Sequence, residues 1–217
     1  MTDVIKCCSK EQIIRFLEII TKLVQDALSD DDAEVRAMAS MSFQGLYALV
    51  GTRAFDEIVP SLMVSLANDE NETAQRHALN GLTGILTVRS RELLPYIIPR
   101  LISRPITPNH ARALGRISSV TGSTIHKHFP AIVPALLFDL SEDDKDAERL
   151  DAIRESSRAI CASVYTEGVQ SLVSEIATKC NSDKPSVRRE SCLLFQVIVS
   201  ERKCVLLRNF GTTKCFV

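Results

Sequence analysis

The amino-acid sequence predicts an all-α protein, an α-solenoid in which about five pairs of helices stack on one another. Three observations predict this class: apolar residues recur at helical spacing along most of the chain, short polar breaks separate the helical segments, and one proline motif returns. No segment shows the alternation of apolar and polar residues, flanked by hairpin turns, that is typical of strands.

The helices are expected to occur in pairs. The first helix of each pair is predicted over residues 11–28, 55–67, 90–103, 124–140 and 166–180, and the second over residues 33–50, 73–87, 109–121, 149–164 and 186–200. A pair with its turns takes roughly 35 to 40 residues, which is the period of stacked helical repeats. Because one pair cannot bury its apolar stripe alone, neighbouring pairs must stack, and the stack forms an armadillo-type superhelix.

The proline motif occurs three times, as I-V-P-S-L at 58–62, I-I-P-R-L at 97–101 and I-V-P-A-L at 132–136. Its prolines are Pro60, Pro99 and Pro134, and its leucines are Leu62, Leu101 and Leu136. Each proline falls early in a first helix, where the ring occupies the opening turn or bends the helix slightly. In the second and third copies a further proline four residues earlier favours a kink. Each leucine is expected to face the core.

A second recurring unit precedes two of the second helices, as S-D-D-D-A-E-V-R at 29–36 and N-S-D-K-P-S-V-R at 181–188. An Asp near a helix start accepts hydrogen bonds from the free N–H groups and suits the positive helix end. Val35 and Val187 are expected to point inward. Arg36 and Arg188 are expected to reach turn carboxylates of neighbouring repeats.

Together these features resemble HEAT repeats, and the resemblance covers roughly residues 11–200. Four segments are more specific: L-S-D-D-D-A-E-V-R-A-M-A, R-S-R-E-L-L-P-Y-I-I-P-R-L at 89–101, I-S-S-V-T-G at 117–122 and H-F-P-A-I-V-P-A-L at 128–136. They are similar to the family of giant HEAT-repeat activators of the kinase that phosphorylates initiation factor two alpha in amino-acid starvation. Because those proteins are many times longer, we expect this chain to be a fragment, a short isoform or a truncated gene model.

The resemblance implies a non-catalytic scaffold in translational control, a protein kinase activator that binds ribosomes in the amino-acid starvation response. It also implies a cytoplasmic location and two protein partners, the protein kinase and the ribosome. The family's kinase-recruiting segment lies downstream of the matched region, so no binding residue carries over to this sequence. The alternative is a HEAT-repeat scaffold of another assembly, such as a nuclear-transport receptor or a phosphatase scaffold.

The predicted organisation has three parts: an N-terminal extension over residues 1–10, the solenoid over 11–202, and an irregular tail over 203–217. The tail, C-V-L-L-R-N-F-G-T-T-K-C-F-V, leaves the repeat pattern and is interpreted as a truncated or replaced end. Neither end carries a polar capping repeat, so exposed apolar faces are expected to favour association of the isolated chain.

Composition and motifs argue against several classes of function. The net charge of −1 gives no general attraction to DNA or anionic lipid, and no apolar run approaches the roughly 18 residues of a membrane span. His126 and His128 would point apart on a helix and cannot chelate one ion. The sequence has no C-x-x-C pair, no phosphate-binding glycine loop and no nucleophile elbow. We therefore expect no enzyme activity, cofactor, metal or small-molecule substrate.

Two charged stretches each have two interpretations. The run E-D-D-K-D-A-E-R-L-D at 142–151 is either a solvated loop or a docking loop for a basic partner. The basic cluster is either a solvated face or a contact with the ribosomal RNA backbone, for which salt-sensitive binding would be diagnostic. Its members are Arg89, Arg91, Arg100 and Arg104.

Overall fold

The structure, a computed structural model, describes residue 5 and residues 7–68, 71–141 and 146–209, with only the backbone for 201–209. The helices are α1 (Lys10–Arg15), α2 (Leu17–Leu28), α3 (Ala33–Val50), α4 (Arg53–Leu66), α5 (Glu72–Leu101), α6 (Pro108–Thr121), α7 (Phe129–Leu140), α8 (Ala147–Ser163), α9 (Thr166–Cys180) and α10 (Pro185–Asn209). A 3₁₀ helix, Gly122–His128, joins α6 to α7. Over the described ranges there is no strand, and the all-α prediction is confirmed.

The chain divides into two compact units, Met1–Pro99 and Arg100–Val217. In the first unit α2 packs on α3 and α4, and α3 packs on α4. The rings of Phe43 and Phe55 stack with their centroids 5.7 Å apart in the core of these helices. Leu62 of α4 is fully buried and reaches Gly81 of α5, where an added Cβ would lie 3.2 Å from its side chain.

In the second unit the second helices of successive pairs lie side by side. Helix α6 packs along α8, and α8 packs on α10. The approach of α6 to α8 is close because it occurs at Gly115, where an added Cβ would lie 3.3 Å from the Cα of Ser156. The first helices, α7 and α9, also pack on each other. Leu101, Leu136 and Val187 are buried.

The prolines of the repeated motif lie inside their helices, not in the opening turn. Pro60 is well inside α4, Pro99 lies near the end of α5, and Pro134 lies inside α7. The ring at these positions removes one backbone hydrogen bond without ending the helix. The break in α5 occurs at Arg89, whose φ of −137° and ψ of 46° are non-helical. The predicted helices over 73–87 and 90–103 thus meet at a single residue with no intervening loop.

Val35 does not point inward. It is 39% exposed, whereas its counterpart Val187 is buried. The prediction for Val35 was wrong because the buried face of α3 begins only one turn later, at Ala39.

The arginines after these valines also have partners other than the predicted carboxylates. Arg36 Nη1 donates to the carbonyl oxygens of Asp30 and Asp31 at 2.8 and 2.7 Å, and Arg188 Nη1 donates to those of Ser182 and Asp183 at 2.8 and 3.0 Å. Each arginine therefore closes the turn of its own helix pair, because carbonyls left without a partner after the preceding helix lie within its reach.

The turn before α5 is closed by a side-chain amide, where the turns before α3 and α10 are closed by an arginine. Gln75 occupies the position in α5 that Arg36 occupies in α3, and its Nε2 donates to the carbonyl oxygen of Asn68 at 2.5 Å. Asn71 accepts from the N–H of Ala74 at 2.9 Å and caps the helix. The second pair keeps the turn closure although its sequence has lost the Val-Arg pattern.

Replacing Arg36 by Ala should lower the free energy of unfolding by about 1 kcal/mol, because two turn carbonyls lose a charged donor. Lys22→Ala removes the same charge from an exposed position on α2 and should change it by less than about 0.5 kcal/mol. Urea unfolding followed by circular dichroism measures both changes. Equal effects of the two substitutions would contradict the role of the hydrogen bonds to the turn carbonyls.

Helix α10 continues to Asn209, beyond the predicted end near residue 200 and into the segment 203–217 that the sequence assigns to an irregular tail. The prediction of irregular structure was wrong for 203–209, because the leucine-rich stretch there continues a helix that has no proline to end it. The remainder, 210–217, lies outside the described residues. The division into extension, solenoid and tail stays a prediction.

Candidate interaction surface

The four arginines of the predicted basic cluster belong to two units and have different surroundings. Arg89 lies at the break in α5 with its guanidinium 4.9 Å from the centre of the Tyr47 ring and 3.6 Å from a Glu92 carboxylate oxygen. These contacts give Arg89 a role inside the first unit. Arg91 and Arg100 are exposed.

Arg104 takes part in a contact that the sequence does not reveal. Its guanidinium carbon lies 3.6 Å from the centre of the Phe138 ring, and the Lys184 ammonium nitrogen lies 4.8 Å from the same centre. We name these three side chains the Phe138 cluster. Both cationic residues are exposed and the ring is half-buried. Attraction between a cation and the face of an aromatic ring holds the charges in place while leaving their outer donors in water.

A buried ion pair supports the turn that carries Arg104. Arg149 Nη2 lies 2.6 Å from Asp139 Oδ2, and the two side chains are 10% and 1% exposed. The same oxygen accepts from the N–H of Ile106 at 2.8 Å, and Arg149 Nε donates to the carbonyl oxygen of Ile106 at 2.9 Å. We name this arrangement the Asp139–Arg149 clamp. It ties the turn after α5 to α7 and α8 through both backbone groups of one residue.

The turn that carries Lys184 is also fixed. The Ser186 hydroxyl donates to the carbonyl oxygen of Ser141 at 3.0 Å, which ties the start of α10 to the end of α7. Arg188 binds two carbonyls of the same turn, as described above. Both cations of the Phe138 cluster therefore extend from turns that are fixed to the end of α7.

The sequence contained a signal for the clamp but none for the cluster. Asp139 is the one acid in the apolar segment F-P-A-I-V-P-A-L-L-F-D-L, and a lone carboxylate there predicts a buried partner. Arg149 lies within the charged run 142–151, where nothing in the sequence distinguishes it as that partner. Phe138 and Lys184 lie in different repeats, and no local pattern indicates that they meet.

The charged run is only partly described, since residues 142–145 lie outside the described residues. Of the acids that follow, Glu148 lies 2.9 Å from Arg112 and Asp151 lies 3.2 Å from Arg154. These acids are already paired within the protein. The docking loop therefore stays a prediction.

A surface groove of about 290 Å³ lies where α7, α8 and α10 meet. Leu140, Leu194 and Val197 supply its apolar wall. Arg154 and Glu190, also on the wall, approach each other to 3.5 Å. The groove thus offers a mixed surface on which Arg154 is paired with Glu190 and exposed Arg158 adds a further positive charge.

His126, His128 and Cys161 have surroundings that suit packing. Burial lowers the pKa of His126 and His128, and the His126 ring lies against the backbone of Gly168. Burial raises the pKa of the Cys161 thiol to about 12, which keeps it protonated and unreactive. Among the residues that the structure describes, no three His, Cys, Asp or Glu side chains are grouped as metal ligands would be. A search of these residues for a helix able to cross a membrane finds none.

A family model described as "Stalled ribosome sensor GCN1-like, HEAT repeats" matches residues 93–210, more than half of the chain. The chain belongs to the GCN1-like HEAT-repeat family. The match includes the Phe138 cluster and the Asp139–Arg149 clamp. It confirms the predicted resemblance and the prediction of an all-α solenoid.

Individual members of the GCN1-like family agree with this assignment. The eIF-2-alpha kinase activator GCN1 of Dictyostelium discoideum is 30% identical over 186 residues, which is 86% of this chain. The stalled ribosome sensor GCN1 of Homo sapiens is 26% identical over 94% of the chain, and the eIF-2-alpha kinase activator GCN1 of Saccharomyces cerevisiae is 31% identical over 83%. The chain spans 7% of the length of each relative.

Proposed function

We propose that this chain is a non-catalytic part of a HEAT-repeat scaffold in translational control. In this proposal it acts in the cytoplasm, associates with ribosomes and contributes to activation of the eIF-2-alpha kinase. Membership of the GCN1-like family is the observation that carries the proposal, since relatives over most of this chain are named as kinase activators or stalled ribosome sensors.

The arrangement of side chains supports a binding role. Stacked helix pairs present extended surfaces to large partners, and the second unit carries exposed cations, among them Arg100, Arg104 and Lys184. A positively charged surface suits the ribosome, whose RNA backbone is negatively charged. The family model and the relatives described above are GCN1 proteins, and they favour this proposal over the alternative scaffold classes, nuclear-transport receptors and phosphatase scaffolds.

Co-sedimentation of the full chain with purified 80S ribosomes at about 50 and 200 mM salt tests ribosome association. We expect the chain in the ribosomal pellet at low salt, with affinity falling by about threefold per phosphate contact over this range. A matched run without ribosomes is needed because α2 exposes apolar side chains and aggregates would also sediment. Absence from the pellet at both salt concentrations would overturn the proposed ribosome association.

A further inference from the structure

Several arginines on the second helices of the second unit are already bound to acceptors within the protein. Carboxylates or turn carbonyls of the protein engage Arg112, Arg149, Arg154 and Arg188. Arg104 and Lys184 are different, since the structure records ring contacts for both and, among the described residues, no carboxylate within ion-pair distance. Their hydrogen-bond donors are therefore available to a ligand.

The two cations are also held beside the same ring despite their mutual repulsion. Two positive charges over one ring create a local positive potential, and an anion placed beside them would relieve the repulsion. The Asp139–Arg149 clamp fixes the turn of Arg104, and the bond from Ser186 to Ser141 fixes the turn of Lys184. A cation held in place before binding loses little side-chain entropy when the ligand arrives. This arrangement distinguishes the two cations of the Phe138 cluster from a lysine or arginine whose side chain moves freely in water.

We propose that the Phe138 cluster binds backbone phosphates of RNA, an inference that rests on the proposed ribosome association for the source of that RNA. RNA is favoured over a phosphorylated protein because neighbouring phosphates along its backbone can engage both cations at once, whereas a phosphoserine offers one phosphate. Phe138 serves as a support for the cations, since its ring is half-buried and contacts both of them. The contact is therefore independent of base sequence and sensitive to salt.

The test compares two double variants of the full chain that remove the same charges. Arg104→Ala with Lys184→Ala removes the cluster, and Arg116→Ala with Lys127→Ala removes one exposed arginine and one exposed lysine elsewhere in the same unit. Binding of each protein to a fluorescein-labelled 20-nucleotide polyuridine is measured by anisotropy between about 50 and 200 mM salt. Circular dichroism melting establishes that each variant is folded.

We expect loss of the cluster to lower RNA affinity by roughly tenfold or more at about 100 mM salt, and to reduce the slope of log K against log salt by about 1.4 for two contacts to a single strand. The Arg116 and Lys127 variant should keep both the affinity and the slope of the unmodified chain within about twofold. Phe138→Leu keeps both charges but removes the ring, so its affinity should fall while most of the salt slope remains. A loss of affinity in Phe138→Leu would therefore show that the ring positions the two cations, because this variant keeps both charges.

Equal losses of RNA affinity in the two double variants would overturn the proposal, because the cluster would then contribute no more to RNA binding than any other pair of exposed cations. Tighter binding of a phosphoserine peptide than of polyuridine would overturn the choice of RNA. Ribosome co-sedimentation with no dependence on Arg104 and Lys184 would overturn the cluster while leaving the proposed function intact. Polyuridine binding that depends on the cluster, in a chain that fails to sediment with ribosomes, would support the site and refute the ribosome association.

Discussion

Replacing Arg149 by Met lowers the free energy of unfolding by about 3–5 kcal/mol, because it leaves the Asp139 side chain without its cationic partner in a site that is 1% exposed. The substitution keeps much of the apolar stem and removes the guanidinium that binds both Asp139 and the carbonyl oxygen of Ile106. Urea unfolding monitored by circular dichroism, fitted separately for each transition if the two units unfold apart, measures the change.

Two further variants separate the cost of a buried charge from ordinary damage to packing. Combining Asp139→Asn with Arg149→Met removes both charges and leaves an amide oxygen that can accept from the Ile106 N–H, so the double variant should recover part of the lost stability. Arg112→Met removes an exposed arginine paired with exposed Glu148 and should cost less than about 1 kcal/mol. If the Arg149 and Arg112 variants lost the same stability, the clamp would have no special importance.

Replacing Leu62 by Ala should lower the free energy of unfolding by about 2–5 kcal/mol. The leucine is buried in α4 and its end meets the backbone of α5 at Gly81, so truncation leaves a cavity between two helices that surrounding residues cannot readily fill. The measurement is again urea unfolding of the full chain.

Val64 provides the matched control on the same helix. It is 71% exposed, so Val64→Ala removes methyl groups that contact mainly water and should change stability by less than about 0.5 kcal/mol. A neutral result for Leu62→Ala would mean that the buried face of α4 has been assigned to the wrong residues.

The helices could be predicted from sequence because their apolar spacing and polar breaks are local signals. The motif leucines, Leu62, Leu101 and Leu136, are buried for the same reason, since the period of a helix decides which side faces the core. Helix breaks were less predictable. The repeated prolines lie within helices, and the break at Arg89 follows from a backbone conformation that no proline or glycine announces.

The candidate site could not be predicted because its contacts join distant parts of the chain. Arg149 reaches Ile106 across 43 residues, and the sequence gives its charge but not its burial. The position of Arg36 was predicted correctly, but its partners were not. A guanidinium can donate to a carboxylate or to a carbonyl oxygen, and the structure shows carbonyl oxygens. Of the predicted arginine cluster, Arg104 alone takes part in the Phe138 cluster.

The hydrogen bonds from Arg36, Gln75 and Arg188 to turn carbonyls span only five to seven residues. Closing such short loops costs little chain entropy, so these turns can form early in folding, before helices from different repeats meet. The Asp139–Arg149 clamp joins segments that are 33 and 43 residues apart and must close later. A nascent chain emerging from a ribosome would thus order its helix pairs one at a time, and the clamp would fasten the second unit only after α8 had been synthesised.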